Sequence, residues 1–540
     1  MLVKVSGKIL KITILVLVIL YFFSIFLPYI RQGDVSSSVK ESFRLSDFYA
    51  EDPSSDSVLK DANFREKAAS AAANTDSSEV TQADASKEEA KILLENQEAL
   101  EERLRLIAGA KERIILSTFD FKDDNSGTYV LSALYDAAMR GVKVQVLIDG
   151  FSYLTHAAGR TAFLALGSLE NATIKVYNPV HFLKPYTWMA RLHDKYLVVD
   201  DHSYILGGRN TFDYFLGNQT DHVNYDWDVL VHSTAGDDAS LPRLKAYFQT
   251  VWDLPECKIV MDKVSSRKKD KVAAAAGKLE LTYVNLEKEH ADWLTAANQD
   301  EFIPVDKISL MTNPINAGLK EPVLFYTMTE LMLQAKEPVR IHTPYIICND
   351  YMLERLDALG TSAPDVSTLR ASSAAGKTTV ETRISTIADN ALSATGNSAA
   401  STTIMTNSAA NNGNPFGAAT YLMQKKNFLK SKIQLLEYDS GVSYHGKCFT
   451  IGDRLSAVGS FNWDRRSAYL DTEIMMVVDS KAFNRALSEA MEKYESDALV
   501  VKDNKNYILK EGQVPLKLSF GKKAILILMR PLCRLFGFLM

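Results

Sequence analysis

Two histidine-lysine pairs recur along this chain of 540 residues with the same downstream spacing. In His193-Asp194-Lys195 the lysine stands fifteen residues ahead of Asn210, which follows Gly207-Gly208-Arg209; in His445-Gly446-Lys447 it stands fifteen ahead of Asn462, which follows Gly459-Ser460-Phe461. A phosphodiester surrounds an electrophilic phosphorus with negative oxygens, so a metal-free site needs fixed positive charge, neutral donors and a nucleophile that ionises near neutrality. Lys195 and Lys447 supply the charge, Asn210 and Asn462 the amide donors, and His193 and His445 a nucleophile and an acid. One reaction centre built from two halves of one chain is the expectation.

The neighbouring residues say what must position these groups. Tyr196-Leu197-Val198-Val199 and Cys448-Phe449-Thr450-Ile451 read as strands, and in His-x-Lys at the start of a strand both side chains share a face. The Gly pair, or Gly-Ser, ahead of each Asn suits a tight turn with backbone close to phosphate. Upstream, Arg113 to Asp149 alternates strand, helix and strand, a βαβ unit. The order repeats with strand at Val339 to Ile347, helix at Tyr351 to Leu359 and strand at Thr402 to Met405.

Both His-x-Lys stretches resemble the HKD motif, HxKx4Dx6G(G/S)xN, of the phospholipase D superfamily, over roughly residues 100 to 500. Ser117 to Gly150, with Leu134 to Val144 inside it, is similar to the strand-helix-strand unit that precedes the first motif in that family, and Thr343-Pro344-Tyr345-Ile346-Ile347 resembles the start of its second half. Thr403 to Ala418, with Asn407-Ser408-Ala409-Ala410-Asn411-Asn412-Gly413-Asn414, looks like the bacterial cardiolipin synthase branch. The resemblance implies an α/β fold of two phospholipase D-like halves, each a mostly β-sheet core flanked by helices, with one active site at their interface. It further implies no cofactor and no metal. One histidine attacks phosphorus to give a phosphohistidine while the other protonates the leaving alcohol; we assign His193 as nucleophile and His445 as acid, and the near symmetry leaves the reverse order open. An acidic residue on the strand after each motif is expected to fix each imidazole. Asp228 and Glu473 fit, with Asp226 two residues from Asp228 and on its face.

One departure separates the copies. Asp200 stands five residues after Lys195, whereas Gly452 holds the corresponding place after Lys447 and Asp453 comes one later. A one-residue shift turns a strand side chain to the other face, so Asp453 substitutes only through a bulge. By the resemblance this Asp supports the loop rather than touching phosphorus, and Asp200 belongs with the site on those terms.

Composition frames the rest. Hydrophobic residues at 46% and charged residues at 24% are ordinary for a globular chain of two or more domains. A net charge of -5 argues against broad nucleic-acid binding. Cys257, Cys348, Cys448 and Cys533 form no metal spacing and no disulfide framework. Ile12 to Ile30 is nineteen residues without a charge, enough to cross a bilayer. No small-x-small cleavage pattern follows it, and Lys4, Lys8 and Lys11 ahead of it place the N-terminus in the cytoplasm and the body outside.

The expected organisation is an anchor over 1–33, a flexible tether over 34–92, a first half over 93–260, a connecting segment over 261–300, a second half over 301–500 and a basic apolar tail over 501–540. A Ser, Ala and Thr-rich insertion over 361–401 interrupts the second half, and Ser265 to Lys271 reads as a solvated loop. The tail carries Lys517, Lys522, Lys523, Arg530 and Arg534 with no acidic residue from Leu516 on, which suits anionic lipid; packing on the body is the alternative. His156, His181, His202, His222, His232, His290 and His342 have no such context and read as structural or surface residues. The leading function is a membrane-bound phosphatidyltransferase of cardiolipin synthase type acting on phospholipid, phosphatidylglycerol first. The alternatives are a phospholipase D hydrolase, a phosphodiesterase or nuclease, and a non-catalytic member of the family.

Overall fold

The computed structural model describes residues 2–50, 88–233, 239–295, 301–361 and 402–540, with side chains from Ile9 onward. The insertion from 362 to 401 and the stretch 51–87 of the expected tether lie outside the described residues.

Apolar runs with period two build two nine-stranded mixed sheets of matching order. At the centre of the first, Tyr196–Val199 lies between Ser203–Gly207 and Arg113–Thr118, and Lys143–Asp149 and Ala172–Tyr177 continue in parallel beyond. The second repeats this arrangement. Cys448–Ile451 lies between Leu455–Gly459 and Val339–His342, and Thr402–Asn407 and Gln434–Tyr438 continue in parallel. The parallel strands of the first half are joined through the helix Asn125–Met139, started by Asp124 whose side chain accepts from the Gly127 N–H. That is the βαβ unit expected from the sequence.

Alternation sorts each strand between two cores. Leu197 and Val199 face the helices of the first half, while Tyr196 and Val198 face the second sheet. Phe449 and Ile451 face the helices of the second half, while Cys448 turns inward. The inward residues form one shared apolar core in which Tyr204, Leu206, Val229 and Val231 pack with Val458, Ile474, Met476 and Val478. The halves therefore meet sheet to sheet, with helices outside.

Several expected boundaries move. Residues 34–50, expected in the tether, pack on the second half: Val35 and Phe48 are buried, and Asp479 accepts from the Ala50 N–H at 2.7 Å. The first half begins at Glu88–Leu93, a strand second from the edge of its sheet, rather than at residue 93. The connecting segment is mostly the helix Lys269–Glu289, which buries Val272, Leu279, Tyr283 and Leu286 against the first half. Ser265 to Lys271 leads into that helix rather than forming a loop. Ile303–Val305, expected in the second half, pairs with Glu88–Leu93 of the first.

The unequal pair Asp200 and Gly452 has a local cause. Both occupy the left-handed region, with φ of 51° and 55°, and their N–H groups donate to the carbonyls of Arg113 and Pro338. Asp200 accepts from the N–H groups of Lys111, Glu112 and Arg113 at 2.8–2.9 Å. In the second half the place of Arg113 is taken by Pro338, which has no N–H to give. An aspartate at 452 has one donor fewer to cap, and glycine takes the positive φ without strain. Asp453 points away, exposed and 3.3 Å from Lys481, so no bulge restores the motif.

Asp200→Ala is expected to lower unfolding stability by about 2–3 kcal/mol, because three backbone donors lose a charged acceptor. Gly452→Asp is expected to give no gain, since its Cβ meets Glu337 at 3.2 Å. Denaturant midpoints of the two variants check both statements.

Candidate functional site

Each histidine enters the interface on a segment stitched to the other half. Ser443–Tyr444 pairs in parallel with Asn224–Tyr225, and the His445 N–H donates to the Tyr225 carbonyl at 2.6 Å. Leu192 bridges Thr472, and the His193 N–H donates to Thr472 Oγ1 at 3.2 Å. These bridges set the residues that follow face to face. His193 Nδ1 lies 2.8 Å from Glu473 Oε1, and His445 Nδ1 lies 2.6 Å from Asp226 Oδ2. Each imidazole is thus oriented by a carboxyl from the opposite half. With Nδ1 engaged, Nε2 of each ring is the atom left for chemistry.

Asp226, not Asp228, is the partner of His445. Alternation would put the two on one face only if a continuous strand ran through both, and the strand begins at Asp228. Upstream of it the chain is irregular: the Trp227 carbonyl accepts from the Gly208 N–H, while the Trp227 ring and the Asp226 carboxylate both reach the second half. Asp228 is buried against Arg103 at 2.8 Å and Arg209 at 3.4 Å, a structural ion cluster behind the site. Gly208 is what lets Asp226 lie there. A Cβ at 208 would come within 2.2 Å of the carboxylate.

Lys447 reaches Asp226 at 3.2 Å and also contacts His445. Lys195 is buried, and its Nζ has no hydrogen-bond partner among the described residues. An unpaired buried ammonium is costly, and an anion would relieve it. Asn210 Oδ1 accepts from the Asp120 N–H at 3.3 Å, and Asn462 Oδ1 is buried without a partner among the described residues. Asp200 lies behind the site, as a support of the loop ahead of Arg113–Thr118. His193, Lys195, His445, Lys447 and Glu473 are therefore gathered at the interface, with Asp226 added and Asp228 removed; Asn210 and Asn462 are buried with their hydrogen bonds inside their own halves.

Sequence reasoning reads Trp227, like Trp188, Trp252 and Trp463, as filling a core or lining the cleft, and it misses the phenylalanine walls. Phe119 meets His193 edge-on with ring centroids 5.5 Å apart, and Phe215 meets His445 at 4.9 Å. Trp227 packs against Gly446, where any side chain would collide with its ring, and its indole N–H donates to the Tyr444 hydroxyl. Phe215 lies shortly after Asn210, whereas Phe119 follows the strand Arg113–Thr118, far from either motif, and carries no sequence signal.

Burial governs the electrostatics. It pushes the Glu473 carboxyl up to about 8 against the pull of Lys195. Burial, followed by Lys195 and Lys447, holds the His193 imidazole well below its ordinary value. Burial, followed by Lys447, brings His445 down to about 4. For Asp226 burial raises the carboxyl, but Lys447 and His445 together outweigh it and hold it below the usual range. Lys195 falls to about 7 through burial, and Lys447 is lowered for the same reason. Near neutral pH the centre therefore holds imidazoles in their neutral form, one ionised carboxylate and a lysine poised to lose its proton, and the negative charge of a phosphodiester would favour protonation of His445 beside Asp226. That arrangement can deliver a nucleophile and a proton to opposite sides of a phosphorus while cations face its oxygens.

The family model described as "Cardiolipin synthase, PLD-like domain" matches residues 104–252 and 328–495, and the chain belongs to that family, within the phospholipase D superfamily. It is 24% identical over 440 residues to cardiolipin synthase C of Escherichia coli (strain K12), covering 74% of this chain and 83% of that protein. It is 25% identical over 422 residues to an uncharacterized protein of Helicobacter pylori (strain ATCC 700392 / 26695), covering 73% and 77%. Among solved structures, the phosphatidylserine synthase of Haemophilus influenzae Rd KW20 shares the fold with a TM-score of 0.54 at 15% identity, over 83% of this chain and 94% of that one.

Asp228→Asn is expected to cost about 3–5 kcal/mol of stability by leaving buried arginines unpaired, with the chemistry of the remaining folded protein intact; thermal unfolding alongside turnover measures both. For a chromogenic phosphodiester, kcat/KM is expected to fall as pH rises through about 7, where Lys195 loses its charge in the free enzyme. Lys195→Arg keeps the charge at all accessible pH and should remove that alkaline limb from the profile.

Proposed function

We propose that the protein is a membrane-bound phosphatidyltransferase of cardiolipin synthase type, working through a phosphohistidine. The observation that carries this reading is the pair of cross-half dyads, His193 with Glu473 and His445 with Asp226, around an unpaired buried Lys195. His193 Nε2 attacks phosphorus, the bond from phosphorus to the leaving alcohol oxygen breaks, and that oxygen takes the proton carried by His445 Nε2. His445, now neutral, then takes the proton of an incoming hydroxyl as its oxygen attacks phosphorus. The P–N bond breaks and returns His193 to the neutral imidazole.

The asymmetry of the dyads favours this order. A nucleophile must be neutral, and burial with Lys195 and Lys447 holds the His193 imidazole well below its ordinary value. An acid must carry a proton: burial and Lys447 hold His445 neutral, and the ionised Asp226 together with the negative charge of a bound phosphodiester would favour its imidazolium. Lys195 and Lys447 face the phosphoryl oxygens, with Asn210 and Asn462 as neutral donors.

Residues Ile9–Tyr29, with a mean hydropathy of 2.7, are long and apolar enough to cross a membrane once. Together with the family and its relatives named as cardiolipin synthases, they favour a phospholipid donor, phosphatidylglycerol first, over nucleic acid. We place the N-terminus in the cytoplasm and the body outside, from Lys4, Lys8 and Lys11 ahead of the span.

Full-length protein incubated with phosphatidylglycerol is expected to give cardiolipin and glycerol. Phosphatidic acid as the main product would show that water, not a lipid hydroxyl, is the acceptor. His193→Ala and His445→Ala should each lower turnover by at least about 10³-fold. Substantial turnover of natural lipid in either variant would overturn the two-histidine site.

A further inference from the structure

The loop from Asn178 to Leu192 leads straight into His193, and its tip is unusual for a protein surface. Phe182 and Leu183 are 72% and 86% exposed, with Tyr186 half exposed beside them. Large apolar side chains gathered this way mark a surface meant for an apolar partner. The tip does not stand alone. Tyr21, inside the apolar N-terminal helix, donates its hydroxyl to the Phe182 carbonyl at 2.7 Å and packs edge-on against Trp188. Tyr29, buried at the end of that run, donates to the Tyr186 carbonyl at 2.6 Å.

Depth follows from helix geometry. Tyr21 lies four to eight residues inside the point where the apolar run enters the body, between the buried Ile25 and Tyr29. At 1.5 Å per residue this is roughly 6–12 Å along the helix, within the hydrocarbon if the helix spans the bilayer. The C-terminal helix Phe520–Phe536 adjoins the same face, with Phe536 packed on Phe26 at 5.1 Å. It presents Ile527, Leu528 and Leu535 outward. A cleft beside it is lined by Lys426, Arg530 and Arg534, a charge suited to anionic headgroups.

We infer that the Phe182–Leu183 tip is a wedge inserted into the phospholipid bilayer beside the N-terminal span, with the helix Phe520–Phe536 lying in the headgroup layer. The wedge joins the catalytic loop to the membrane: the same segment that carries Phe182 carries Arg191, whose carbonyl accepts from the Thr472 N–H at the His193 bridge. A lipid phosphate at the bilayer surface therefore has a short path to the site, and its acyl chains need not leave the hydrocarbon. The inference rests on the reading of residues 9–29 as a span.

The native cysteines are all buried, so a single introduced cysteine takes an environment-sensitive nitrobenzoxadiazole label. Full-length protein labelled at Leu183→Cys, at Leu17→Cys within the span, or at exposed Met139→Cys is reconstituted in phosphatidylcholine and phosphatidylglycerol vesicles carrying acyl-chain spin label. Quenching at position 183 within about twofold of that at position 17, with none at 139, is expected. Aqueous emission at 183 alongside quenching at 17 overturns the wedge and leaves the span. Shielded but unquenched emission at 183, the signature of a protein partner, also overturns it, and an unquenched label at 17 overturns span and wedge together. In a second arm, the double variant Phe182→Ser, Leu183→Ser should lose several-fold turnover on long-chain lipid in vesicles and none on a short-chain monomeric lipid. Equal turnover on both would contradict the wedge.

Discussion

The structure depends on one constraint: ionisable groups buried between two sheets must find their partners across the interface. His193 and His445 lie where burial disfavours any charge, and neither half supplies its own histidine with a carboxyl. Glu473 serves the first half's imidazole and Asp226 the second's. Separating the halves would strip both dyads, expose the shared core and leave the lysines beside nothing. Catalytic geometry and domain cohesion are therefore the same set of contacts, reinforced by the short bridges at Tyr225 and Thr472.

The duplication is symmetric in topology and unequal in detail. Matching strand order places the two His-x-Lys stretches on corresponding strands, yet Asp200 caps three backbone donors while Gly452 faces a segment from which Pro338 has removed one. The glycine is thus matched to its surroundings rather than a defect in them. Inequality also reaches the electrostatics: Asp226 is held ionised beside Lys447, whereas burial favours a protonated Glu473. Two halves of matching topology can in this way carry different roles in one reaction.

Much of this was legible in the residues. The strands Tyr196–Val199 and Cys448–Ile451, the βαβ unit and the convergence of two His-x-Lys stretches follow from alternation and spacing, which are local and survive folding. What escaped was non-local or irregular. Asp226 and Asp228 could not be told apart because the rule that puts them on one face fails where the chain leaves the strand. The crossing of carboxyls between halves is set by bridges between residues hundreds of positions apart. Residues 34–50, polar enough to look like tether, pack through only a few apolar side chains such as Val35 and Phe48. The strand Ile303–Val305 changes sheet because its pairing, not its composition, decides where it belongs.

The crossed dyads are tested most directly by the burst of nitrophenolate from a phosphatidyl p-nitrophenyl ester, whose leaving group needs no protonation. Such a substrate lets the first step proceed without the acid and stalls only at the second. Asp226→Ala, altered in the first half, should then behave like His445→Ala, giving a stoichiometric burst and slow turnover, whereas Glu473→Ala should behave like His193→Ala and give no burst. Asp226→Ala sorting with His193→Ala, and Glu473→Ala with His445→Ala, would contradict a site whose histidines are each held from the other half.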